Sequence, residues 1–278
     1  NDVTTFLLEL EVDLQLFEWK IEDLHIWELI RVSVYSKIRE DATGDFTFTK
    51  KPLLDKWKYF YERIIVNSYL KFPFFNHSKK DSLVFESSRK YLVDGNYIDI
   101  YTHYVCDDLA KNKKSYQKYQ SSYSFDKLDT NRKGISHLDS ISFLSRLYSI
   151  FIKLNLPAAH LEKISVIENL VLDKFNVVLD LKDLIISSIK KYKSDYPFYN
   201  YLLKIKSPKE IFIVNFSDKL ALISAAKKRS IKIIEIQHGL MVKEDLIYHY
   251  PNVEKDSLKY FPDSFYVWED IWGNSIKL

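Results

Sequence analysis

The sequence predicts an α/β chain with a Rossmann-like parallel sheet, a large helical insertion and small N-terminal hairpins. Three observations carry that expectation. Residues 210–215 and 231–236 are short, nearly continuous apolar runs, the pattern of strands buried on both faces. The segment between them starts with the helix-capping residues Ser217 and Asp218 and reaches about Arg229, so the three pieces make a parallel crossover. A further strand, 264–268, follows a loop of about 25 residues, longer than most ordered connections and so a candidate functional loop.

The earlier elements follow in order. Residues 4–17 fit neither the helical nor the strand period cleanly, and 17–27 reads as a short hairpin turning at Glu22-Asp23. In 27–39, Leu29, Ile30, Val34 and Ile38 fall at near-helical spacing. Residues 43–48 are turn-like around Gly44, and Pro52 opens a helix over 53–70. Residues 82–86 form a buried strand that leads into Ser87, Ser88 and Arg89. Asp94-Gly95, between two strand-like runs, is a two-residue hairpin signal. Residues 136–206 form a mainly helical block, in segments 136–153, 157–175 and 181–206, punctuated by Pro157, Pro197 and Pro208. Residues 269–274 start a last helix.

Bulk composition narrows the function classes. The chain has 278 residues, 46% hydrophobic and 28% charged, ordinary for a globular protein and enough for one large domain or two modest ones. A net charge of +3 is too small to imply a nucleic-acid partner. The densest basic cluster, Lys227-Lys228-Arg229, sits at a helix end where cations favour the dipole. Cys106 is the only cysteine, which removes a disulfide framework and a cysteine-based metal cluster and fits a reducing compartment, so a cytoplasmic location is expected. The five glycines are scattered, so neither a phosphate-binding Gly-rich loop nor a dinucleotide fingerprint is present.

In an open parallel sheet, ligands bind beyond the carboxyl ends of the strands. That rule selects Ser87, Ser88 and Arg89, then Asn215, Ser217 and Asp218, then Gln237, His238 and Gly239, and finally Glu269 and Asp270. His238 is the sharpest of these. A histidine at a strand end can donate to a phosphate or act as a general base, and Gly239 lets backbone approach a ligand. Tyr248, His249, Tyr250 and Asn252 lie in the long loop, where the aromatics either stack on a sugar or base or pack on one another. His238, His249, Glu244 and Asp245 match no familiar ligand spacing, so no metal is expected. Glu235, set among isoleucines, is either a raised-pKa acid or, more commonly for such a residue, one half of a structural ion pair. Arg89 pairs with Asp99 or clamps a phosphate. Without a Gly-x-Ser-x-Gly elbow, Ser-His-Asp catalysis has little support.

The segment 235–252 (EIQHGLMVKEDLIYHYPN), continued by 260–274 (YFPDSFYVWEDIWGN), resembles the Gln-His-Gly segment of bacterial surface-polysaccharide glycosyltransferases. These are the capsule and O-antigen type enzymes of two-Rossmann (GT-B) shape. Residues 17–35 and 82–103 also resemble N-terminal parts of such proteins, and the pieces together cover about a third of the chain. A related His-Gly segment occurs in teichoic-acid glycerophosphotransferase-like proteins. The resemblance implies a transferase that needs no metal or other cofactor, a nucleotide-sugar donor, and a glycan or lipid-linked glycan acceptor. It also implies a location at the cytoplasmic face of the plasma membrane. A CDP-polyol phosphotransferase and a non-catalytic glycan-assembly domain are the alternatives. His238 and Gly239 would lie in the interdomain cleft near Arg89, Asp218 and His249. Residues 1–278 would form the N-terminal, acceptor-side domain, with the donor domain beyond Leu278. Without a glycine-lined cradle for a pyrophosphate, the chain is expected to bind a nucleotide sugar with a Kd no better than about millimolar.

Overall fold

The computed structural model describes residues 2–43, 72–74, 77–87, 89–120, 135–241, 246–273 and 276. The expected turn around Gly44 and helix over 53–70 lie outside them, as do Ser88, Glu244 and Asp245. The chain opens with α1 (Asp2–Asp13), the hairpin β1 (Lys20–Ile21) and β2 (Leu24–His25), and α2 (Ile26–Thr43). The ambiguous 4–17 segment is thus mostly helix. Its buried stripe holds Leu7, Leu10 and the carboxylate of Glu11, and a charged residue among the apolar positions blurs the period.

The next elements are β3 (Ser82–Phe85), the hairpin β4 (Lys90–Val93) and β5 (Asn96–Asp99), α3 (His103–Lys111), β6 (Tyr116–Gln120) and β7 (Ile135–His137). The hairpin turns on Asp94 and Gly95 with φ of 48° and 77°, the two positive values that a type I′ turn requires. The helical insertion consists of α4 (Asp139–Ser149), α5 (Ala158–Phe175) and α6 (Leu181–Lys206). The chain continues with β8 (Glu210–Ile213), α7 (Leu220–Lys227), β9 (Lys232–Ile236), β10 (Ser264–Tyr266) and α8 (Asp270–Gly273).

Among the described residues six strands form one sheet in the order β10-β9-β8-β3-β6-β7, and every pairing in it is parallel. Counted by their sequence within the sheet, this is 3-2-1-4-5-6, the doubly wound order of dinucleotide-binding domains. The three strands expected as parallel neighbours are so, with β9 between β8 and β10. Strands β6 and β7 escape the sequence reading because YQKYQ and ISH lack an apolar run.

Alternate residues of each strand feed opposite faces. Val84, Phe212, Val214, Ile234 and Ile236 meet Cys106 and Leu109 of α3 on one face. Leu83, Phe85, Ile211, Ile213 and Ile233 meet α6, α7 and the loop 237–263 on the other. Among the described residues between β9 and β10 no α-helix forms, only a short helical turn at Lys255–Ser257. A second core lies among α1, α2, α5 and the first half of α6, where Leu181, Ile185 and Ile189 are buried. The same α6 buries Leu202 and Leu203 against the sheet, so one helix serves both cores. No described helix is long and apolar enough to cross a membrane.

Candidate active site

The strand order reverses between β3 and β8. Doubly wound sheets take ligands beyond the carboxyl ends of the strands at such a switch point. On the β3 side the turn is built around Asp99, which is fully buried and accepts from Ser87 Oγ (2.7 Å), Tyr101 N (3.0 Å), Thr102 N (2.8 Å) and Thr102 Oγ1 (3.0 Å). Arg89 donates to Tyr101 Oη (2.9 Å), and Tyr101 Oη donates to the His238 carbonyl oxygen (2.9 Å). Arg89 therefore reaches the third strand end through Tyr101.

On the β8 side Asn215 has φ of 64°, an uncommon value for a residue with a side chain. Its Oδ1 accepts from Ser217 N (3.1 Å) and Ser217 Oγ (2.7 Å), which holds the turn in that conformation. Lys219 Nζ donates to the carbonyls of Val214 (3.0 Å) and Asn215 (3.2 Å) and to Asp218 Oδ1 (2.7 Å). The Asp218 side chain is 62% exposed, whereas that of Lys219 is 13% exposed.

Beyond β9, Gln237 is fully buried and spends both ends of its amide internally. Oε1 accepts from Trp268 N (2.9 Å) and Nε2 donates to the Gly239 carbonyl (2.9 Å), which ties the end of β9 to that of β10. His238 follows with its side chain 27% exposed. Burial lowers its pKa from the usual histidine value, and the cations Lys219 and Arg89 lower it further against a smaller opposing effect of Asp218. It is a neutral imidazole at neutral pH, the protonation state that a general base needs. A Cβ on Gly239 would meet nothing within 4 Å, so the fold itself has no steric demand for glycine there.

Under His238 lies Glu235, fully buried on the sheet face that carries the loop. Its Oε1 lies 2.7 Å from Tyr248 Oη, and Oε2 has no hydrogen-bond partner among the described residues. Tyr248 Oη is also 3.5 Å from His238 Nδ1, which is 3.7 Å from Glu235 Oε1. Burial pushes the Glu235 pKa up to about 8, more than Tyr248, Lys219 and the Phe216 backbone lower it, so the carboxyl keeps its proton at neutral pH.

The remaining sequence-derived residues divide by burial. Tyr248 and Tyr250 are each 4% exposed and pack on Phe216 and Phe265, and on Phe17 and Phe261, so these rings pack within the fold. His249 offers its carbonyl to Arg31 Nη2 (2.8 Å). Asn252 and Glu269 are exposed, and Glu269 sits at the end of β10. Among the described residues no group of His, Cys, Asp or Glu is arranged to hold a metal ion.

Three residues absent from the sequence reading shape the site. Lys219 had a signal: a cation at a helix start opposes the dipole, so something else must hold it there. Arg31 had one too, because it shares the apolar stripe of Trp27, Val34 and Ile38. Tyr101 had none. Comparison with protein-family models, with curated proteins and with solved structures finds no match to this chain.

Proposed function

We propose that this chain is a glycosyltransferase, or the acceptor-side half of one with GT-B shape, and that His238 is its general base. In this reading a nucleotide sugar is the donor and a surface glycan, free or lipid-linked, the acceptor. The observation that carries it is the neutral, partly exposed His238 at the strand ends beside the topological switch point, with Arg89 and Lys219 close enough to bias its charge. His238 takes the proton of an acceptor hydroxyl as that oxygen attacks the anomeric carbon, and the nucleotide leaves with the bonding electrons. Cations at the crevice offset the charge that develops on the leaving phosphate. The exposed carboxylate of Asp218, on the turn where a pyrophosphate would otherwise rest, supports an acceptor over a donor role for this chain.

The test uses a panel of UDP-, GDP- and CMP-linked sugars with a polysaccharide acceptor, and CDP-linked polyols as the contrasting arm. Transfer from a sugar nucleotide supports the proposal, and transfer from a CDP-polyol makes the protein a phosphotransferase instead. His238→Ala is expected to lower turnover by roughly two to four powers of ten with little change in stability. A variant that melts while its folded fraction turns over normally would assign His238 a structural role.

A further inference from the structure

The hydroxyl of Tyr248 stands between two groups that can each carry one proton or none. It lies 2.7 Å from Glu235 Oε1 and 3.5 Å from His238 Nδ1. A phenol has one proton to donate, so when it donates to one neighbour its oxygen can only accept from the other. The three side chains therefore form a chain with two possible directions.

We propose that Glu235 and Tyr248 are positioning residues that set which ring nitrogen of His238 carries the proton, the direction of the chain reversing when Glu235 ionises. With Glu235 protonated at Oε1, Glu235 donates to Tyr248, Tyr248 donates to Nδ1, and the ring proton sits on Nε2. With Glu235 ionised, Tyr248 donates to Oε1, the ring donates from Nδ1 to the Tyr248 oxygen, and Nε2 holds a lone pair. In passing from the first to the second, Glu235 gives its proton to Tyr248, Tyr248 gives its own to Nδ1 and Nε2 releases one to solvent, so the three side chains lose one proton in all. Only the second arrangement leaves Nε2 able to take a proton. His238 then serves as the base proposed above, through Nε2, only once Glu235 is ionised, and as a donor before that, so the proposed base activity rises with pH through about 8. This consequence rests on the role proposed above for His238, whereas the coupling itself does not.

The surroundings of Glu235 favour the protonated arrangement at rest. On the sheet it lies beside Ile213 of β8 and Phe265 of β10, both apolar. The charged and polar groups facing it are Tyr248 and His238, Lys219 and Asp218 at the end of β8, and the Phe216 backbone. Lys219 is shared with Asp218 and two carbonyls, so it is not given over to Glu235. Oε2 has no hydrogen-bond partner, and a bare neutral carbonyl costs much less there than a bare carboxylate oxygen. Burial raises the carboxyl in the same sense, to about 8.

Nitrogen-15 NMR of the His238 ring in the substrate-free chain, from about pH 6 to about pH 10, reads the tautomer directly. The expected result is an exchange of the protonated-type and lone-pair-type shifts between Nε2 and Nδ1, centred near pH 8. Glu235→Gln, close to the same shape, and Tyr248→Phe, which deletes the bridge, are each expected to abolish the exchange while circular dichroism stays native. One unchanging tautomer in the native protein would overturn the proposal, as would an exchange that persists in folded Glu235→Gln. Because no substrate is used, failure of sugar transfer leaves this result standing, and a fixed tautomer leaves the transferase reading standing.

Discussion

Glu11 in the helical layer and Glu235 under the sheet rim are both buried carboxylates, and their surroundings treat them in opposite ways. Glu11 receives Trp27 Nε1 (2.8 Å), Arg31 Nε (2.6 Å) and Arg31 Nη2 (3.2 Å). Burial alone would lower the pKa of Arg31, but Glu11 and Tyr250 more than offset it, so Arg31 keeps its charge. Arg31 also donates to the carbonyls of Leu246 and His249 and lies 4.2 Å from the centre of the Tyr250 ring. Glu235 has no guanidinium: a phenol at 2.7 Å, an imidazole at 3.7 Å, the Phe216 backbone and a Lys219 shared with other acceptors are what face it. A carboxylate clasped by a guanidinium holds structure in place. A carboxylate without one keeps its proton and can give it up at a pH where chemistry is done.

The comparison is most exposed to failure at Arg31. Arg31→Met removes one partner of a buried pair and strands Glu11, so a loss of about 3–5 kcal/mol in urea unfolding is expected. A loss below about 1 kcal/mol would mean that the two carboxylates are not treated differently after all.

Glu235 comes next, through pH. Its folded pKa of about 8 lies above the ordinary 4.5. The group therefore contributes stability that is fully present below about pH 4.5 and is lost as pH rises through about 8. The slope in between is at most ~1.4 kcal/mol per pH unit. Glu28, raised by burial to about 7 beneath the amides of Lys259 and Tyr260, adds to the same trend. Glu235→Gln should flatten the fall between about pH 5 and about pH 8 and leave the Glu28 share in place. Parallel curves for the two proteins would show that Glu235 is ionised in the native state.

The smallest effect belongs to Gly239. A side chain there meets no atom within 4 Å, so Gly239→Ala should shift thermal stability by no more than about 0.5 kcal/mol. If ligands approach that backbone, the same change weakens their binding, and calorimetry on a responding nucleotide sugar separates the two effects.

The same contrast explains what could be read from the sequence. Strands β8 and β9 are legible because burial on both faces demands an unbroken apolar run. The polar strand β6 is not, because its glutamines are satisfied by tertiary partners. Gln120 Oε1 accepts from Lys90 Nζ (2.5 Å), and Gln117 Nε2 donates to Ser136 Oγ of β7 (3.4 Å). His238 is legible from its place at a strand end. Glu235 is legible as a buried carboxylate, but the commoner expectation of an ion pair does not describe it, because its nearest partner is the phenol of Tyr248. No local pattern joins Tyr248 to position 235, or Arg31 to the backbone at 246 and 249.

The Arg31 clasp also orders events in time. Its two carbonyl partners lie 215 and 218 residues further along the chain. At ordinary rates of synthesis the wait between them is on the order of 10–40 s. Throughout it, α1 and α2 can pair Glu11 with Arg31, but the far side of the guanidinium must stay in water. The buried Arg31 guanidinium can thus be enclosed only once residues 246–249 have been made, so the segment that carries Tyr248 also completes the N-terminal core.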